Sequence, residues 1–166
     1  MKIRHKSDKI PYFCRKNKIM YDILVRSHLG LRWIALILLV VAIVNALGAR
    51  TKGIYVKKDK MINLFAMVFI HVQVTLGLIM YFQSPRVNFV EGWMKSPQLR
   101  FFGMEHIAMM ILAAVLLTIG RKKAEKESNP NNKHRKIFMW YTICLVIIFL
   151  AIPWPFRQAL GITTWM

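Results

Sequence analysis

Four long apolar runs divide the chain, and short basic stretches separate them. The first covers about Leu29 to Gly48 and is interrupted only by Arg32 and Asn45. The second covers Met61 to Phe82, the third Phe101 to Gly120 and the fourth Ile137 to Ile152. A helix needs about 20 apolar residues to cross the hydrocarbon of a bilayer, and each run approaches or reaches that length. The pattern predicts an all-α fold, a polytopic membrane protein built as an antiparallel bundle of four transmembrane helices. It divides the chain into a basic leader at 1–26, flexible or surface-lying, a transmembrane domain at 27–157 and a short tail at 158–166.

The ends of the runs carry interfacial residues. Arg32 and Trp33 stand near the start of the first, where a long cation can snorkel and an indole can anchor. Trp140 and Tyr141 flank the fourth at one end and Trp154 at the other, as an aromatic belt does. Pro153 and Pro155 remove backbone donors and stop the fourth helix. The connection at 83–100 contains Val87, Phe89, Val90, Trp93 and Met94, and reads as a short amphipathic element covering one end of the bundle. The connection at 121–136 is basic around a turn-rich centre, Ser128 to Asn132, and His134 reads as a solvated loop residue within it.

Composition agrees with the pattern. The chain is 56% hydrophobic yet carries 25 Lys and Arg against 7 Asp and Glu, a formal net charge of +18. A nucleic-acid partner would need a basic stripe on a water-facing fold, and none is present. Membrane lipid with anionic headgroups is the better partner for basic loops. Loops 50–60 and 121–136 hold five and seven basic residues on one side of a four-span protein. Weighted towards short loops and span ends, the positive-inside rule makes them cytoplasmic and puts both termini outside. Eight basic residues in the leader argue the other way, an objection that mostly disappears if Met20 rather than Met1 is the start. A cleaved signal peptide ending near Ala46 to Ala49 is disfavoured by the long basic region and the extended apolar run. Cys14 and Cys144 lie in the leader and in a span, so no disulfide between them is expected, and no Cys-x-x-Cys-His marks covalent haem.

Ionisable residues at membrane depth are costly and point to function. Glu105 and His106 lie side by side near the start of the third run, and His28 and His71 accompany the first two. If the first span begins near Asp22, His28 lies about 9 Å inside by helical rise and His106 about 8–9 Å inside, while His71 lies roughly 17 Å from the same surface. Haem b between helices needs two axial imidazoles at nearly equal depth. His28 with His106 meets that need best, with Arg32 one turn away to meet a propionate. Gly103 and Ala113, at i−3 and i+7 from His106, leave room for a flat macrocycle. His71 is then a second-shell or quinone-site residue, or the alternative iron ligand paired with His106. The competing explanation is packing: interhelical hydrogen bonds from each histidine and a buried ion pair between Arg32 and Glu105.

The runs RSHLGLRW (26–33), HVQVTLGLIMYF (71–82), FFGMEHIAMMILAAVLLTIG (101–120), KHRK (133–136) and IPWPFR (152–157) resemble a family of small bacterial four-helix membrane proteins labelled "cytochrome B". The resemblance covers about residues 20–160, and the Glu-His pair and IPWPFR are its most specific parts. It implies a b-type cytochrome-like protein of the bacterial inner membrane, with His28, His71 and His106 on the family's histidine positions. Electron transfer between membrane quinol and a partner protein is the first function expected. The second is a non-catalytic accessory or assembly subunit among other membrane or respiratory subunits, its histidines structural. Gly-x-Gly-x-x-Gly, P-loop and Gly-x-Ser-x-Gly patterns are absent, and with seven carboxylates mostly in loops a self-contained enzyme is not expected.

Overall fold

The computed structural model describes residues 12–84, 86–157 and 160, with side chains from Ile19 onward. Four helices, α1 (Tyr12–Ala49), α2 (Lys57–Tyr81), α3 (Pro97–Glu125) and α4 (Pro130–Ala151), run alternately up and down, each long and apolar enough to span a membrane. The protein is an antiparallel four-helix bundle of multi-pass type, and the described residues contain no strand. Residues 1–11, 85, 158, 159 and 161–166, with the side chain of Cys14, lie outside the described residues, and with them all of the tail but Leu160 and the expected lack of a disulfide. The leader is described from Tyr12 onward. From Tyr12 to Arg26 it is helix, continuous with the first span. Pro11 stands just before that helix, and nothing between it and Ala49 breaks helical geometry.

The helices form a ring. α1 packs on α2 and α4, α3 packs on the same two, and the pairs α1/α3 and α2/α4 face each other across the diagonals. Buried residues recur at alternating steps of three and four: Ala35, Leu39, Ala42 and Ala46 on α1, and Ile137, Tyr141, Cys144, Ile148 and Ala151 on α4. On α3 the same spacing runs through Ala113, Leu117, Gly120 and Ala124. That spacing is the seam of helices crossing at small angles, and its small residues allow close approach inside a membrane. Gly120 is the tightest point, because a Cβ there would overlap the side chain of Trp140.

One end of the ring, called here the closed end, is locked by polar contacts. Asn45 donates to Asp59 (2.8 Å), whose second oxygen accepts the Val56 N–H (2.9 Å) at the start of α2. Tyr55 donates to Glu125 (2.9 Å) and accepts from Asn63 (3.2 Å), while Tyr141 donates to the Asn63 carbonyl (2.8 Å). The Lys133 ammonium lies 5.1 Å from the centre of the Tyr55 ring. Burial pushes the Tyr55 hydroxyl up to about 12.

Two expectations are corrected at this end. The basic stretch 121–136 is mostly helix, since α3 runs to Glu125 and α4 begins at Pro130 with Asn129 as its cap. The Asn129 side chain accepts the Asn131 N–H (2.9 Å), and Pro130 suits a first helical position, where no donor is needed. His134 is therefore not a solvated loop residue. It is fully buried, donates from Nε2 to the Ile54 carbonyl (3.0 Å) and meets Tyr55 edge-on. The connection at 86–96 behaves as its apolar residues suggest. Phe89 and Trp93 pack edge to face (4.9 Å) and cover Gly103 at the opposite, open end.

Candidate functional site

At the open end a long cavity enters the centre of the ring. It is lined by Tyr21, Ser84 and Arg86 at its mouth and by Ala35, Leu36 and Ile70 at its floor. Along α1 that span is fifteen residues, or about 22 Å of helical rise. His28, Arg32 and His106 all line it. Because α1 and α3 stand on a diagonal, their histidines reach the same space from opposite sides.

His71 lies elsewhere. It is on the outer surface of α2, with Nδ1 donating to the Met67 carbonyl (2.8 Å) and Nε2 hydrogen-bonded to Thr118 on α3 (3.1 Å). Both ring nitrogens are thus occupied, and His71 does not join the cavity as an alternative ligand or as a group behind one.

The setting of His106 follows from how α4 ends. The last four carbonyls of a helix have no partner within it. Here each finds one: Phe149 accepts from Trp154 Nε1 (2.9 Å), Leu150 from Arg157 (3.3 Å), Ala151 from His106 Nδ1 (2.7 Å) and Ile152 from the Trp154 N–H (3.0 Å). The run IPWPFR is therefore a cap. Ile152 takes an extended conformation before Pro153, as steric pressure from the proline ring requires, and the chain turns back to serve the exposed carbonyls. A carbonyl only accepts, so the proton of His106 sits on Nδ1 and the lone pair stays on Nε2. A carbonyl on Nδ1 fixes the ring so that Nε2 is the nitrogen able to bind a metal.

His28 is held differently. It packs against Gly77 of α2, where an added Cβ would lie 3.3 Å from Cε1. Gln73, one turn away, donates to the His28 carbonyl (2.7 Å). His28 Nδ1 and Gln73 Oε1 are both buried and have no hydrogen-bond partner among the described residues.

Three details of the expected site change. Immediately before His106 the third helix contains a π turn, Phe101–Glu105, and the His106 N–H bonds to the Phe101 carbonyl five residues back. The extra residue breaks the i−3 relation on which Gly103 was placed beside His106. Gly103 instead meets Phe89 and Trp93, and its carbonyl accepts the Tyr81 hydroxyl (2.9 Å). Ala113 faces α4, where its carbonyl lies 3.4 Å from Cys144 Sγ. Gly77 on α2, not Gly103 or Ala113, is the small residue at a histidine, and it makes room for the His28 ring. Glu105 pairs with Arg100 (2.6 Å) and not with Arg32, whose guanidinium lies 5.3 Å from the Trp33 ring centre.

Sequence reasoning also passed over Arg86, Gln73 and Gly77. The spacing of Gln73 and Gly77, i and i+4 within an apolar run, was a usable signal for one shared face. Arg86 lies in a connection, where periodicity gives no direction. Two imidazoles from diagonal helices line one largely apolar cavity with arginine beside them, so His28 and His106 are the residues that could hold a haem iron. The set does not fit a hydrolytic metal centre, since no group of three or more His, Cys, Asp or Glu converges among the described residues. No known protein family, curated protein or solved structure matches this chain.

Proposed function

We propose that this chain is a b-type cytochrome-like protein of the bacterial inner membrane, in which His28 and His106 would hold the iron of one haem b. The observation that carries the reading is the convergence of these two side chains from diagonal helices on one cavity, with His106 Nε2 left free by the Ala151 carbonyl. When bound, haem supplies a one-electron ferric–ferrous couple. The chain's own residues do the rest. The Ala151 carbonyl polarises His106 and raises its strength as a donor. Gln73 and Gly77 hold α2 against His28. The apolar wall excludes water, and Arg32 places a cation where an added electron is stabilised.

The function that follows is electron transfer within the membrane, with quinol and other respiratory subunits as partners. Loops 50–60 and 121–136 face the cytoplasm and the cavity opens outward, because the short connections at the closed end are rich in lysine and arginine. The deciding experiment is a reduced-minus-oxidised spectrum of full-length protein purified from haem-replete cells. The expected result is a b-type signal that His28→Ala and His106→Ala each abolish. Wild type without that signal would refute the reading and leave the accessory-subunit role. Arg32→Gln is expected to lower the midpoint potential while leaving haem content unchanged.

A further inference from the structure

The mouth of the cavity carries charge that the two histidines do not use. Two arginines, Arg32 and Arg86, line the cavity, and no carboxylate does so among the described residues. They stand at different levels. Arg32 is four residues beyond His28, about 6 Å farther from the mouth by helical rise. Arg86 is exposed at the mouth itself, seven residues of α1 above His28 at the level of Tyr21.

Two further arginines of the open end are engaged, while Arg26 of α1 is exposed and does not line the cavity. Arg100 pairs with Glu105, and Arg157 donates to the Leu150 carbonyl and lies over the Phe101 ring. Arg86 has no ion-pair partner among the described residues; its guanidinium lies 5.5 Å from the centre of the Phe102 ring. Beside it, Ser84 Oγ accepts from the Tyr21 hydroxyl (3.1 Å) and from the Arg86 N–H (3.2 Å). A hydroxyl that already accepts twice has its own hydrogen left to donate. The mouth therefore presents a planar five-donor cation and an O–H above a largely apolar bore, with no carboxylate among the described residues that line it.

We infer that Arg86, with Ser84, forms an anion-binding site at the mouth that holds the carboxylate end of an amphiphile whose apolar body fills the cavity. A guanidinium matches a carboxylate with two parallel hydrogen bonds. Two sources supply that chemistry, the propionates of haem and the headgroup of a long-chain fatty acid. The identity of the ligand as haem rests on the proposed function; the carboxylate site does not. On the haem reading it is Arg86, not Arg32, that holds the propionates, since charged ends stay nearest water. Arg32 is left to act on the electron.

Full-length wild type, Arg86→Gln and Arg86→Lys test this through two readouts. In haem-loaded protein, transfer to apomyoglobin should be roughly tenfold faster for Arg86→Gln and nearly unchanged for Arg86→Lys, as the loss of one charge-assisted pair implies. In haem-free protein, the fluorescent fatty acid cis-parinaric acid should bind wild type roughly tenfold more tightly than Arg86→Gln, and its methyl ester should not distinguish the two. Wild type that takes no haem but binds parinaric acid through Arg86 upholds the mouth and overturns the haem reading. Haem loss and parinaric acid binding that are both indifferent to Arg86→Gln overturn the mouth. So does a wild type that binds neither ligand. Because Arg86 is exposed, the variants keep the fold, which circular dichroism checks.

Discussion

His106 serves two elements through one ring. Its Nδ1 completes the cap of α4, and its Nε2 is thereby available to the cavity. Removing the imidazole should therefore cost both ligand binding and the order of the α4 terminus. Tyr55 offers a simpler test of a residue's setting. Its hydroxyl pKa is raised from the ordinary 10.0 to about 12, chiefly by burial. For an acid whose folded-state pKa is raised, the stabilising contribution is complete below the unfolded value and fades as pH rises through the folded one. The window is thus about pH 10 to 12. Alkaline difference spectroscopy should show one tyrosine titrating towards 12, and Tyr55→Phe should remove that phase. Loss of an ordinary phase near 10 instead would contradict the buried setting. Depth matching paired His28 with His106, and both line one cavity, because helical rise per residue hardly depends on sequence. His134 was misplaced because counting charges marks a stretch as loop, while burial depends on Ile54, Tyr55 and Asp59, distant from it along the chain.

At the scale of the element, the spans were legible and their joints were not. Hydropathy found all four helices, since twenty apolar residues leave little else to form in a bilayer. It could not show the three-four seam, because helices that are apolar all round give no contrast between core and lipid faces. Nor could it show the π turn, where one residue is added without any change in hydrophobicity. IPWPFR read correctly as a stop, but its task of capping α4 needs the third dimension to see. The α3/α4 seam makes a sharp prediction. Gly120→Ala forces Trp140 to move, and overpacking of this kind costs about 1–3 kcal/mol. Its thermal midpoint should fall, and Gly120→Ala combined with Trp140→Ala should lose less than the two single changes together, by a double-mutant cycle. Additive losses would mean that the two helices are farther apart than the structure has them.

Across the whole molecule the two ends differ in kind. The closed end is tied by side chains from all four helices, and the open end surrounds a cavity. The orientation proposed above has a direct test. With Cys14 and Cys144 replaced, Ser128→Cys should resist an impermeant maleimide in intact spheroplasts and react after lysis; labelling before lysis would invert the topology. Amide exchange in detergent should run faster in α1 and α2 near Tyr21 and Tyr81 than near Asn45 and Asp59, with ligand slowing the former. Equal exchange at both ends would show that the polar ties add no rigidity. If the ties hold, the bundle is a lever with its pivot at one end. A 25-residue helix such as α2 is about 37 Å long, so a tilt of only roughly 3° at the pivot widens the mouth by about 2 Å. The bore can then match the thickness of what enters it by angle alone, with each helix intact and each contact at the fulcrum kept.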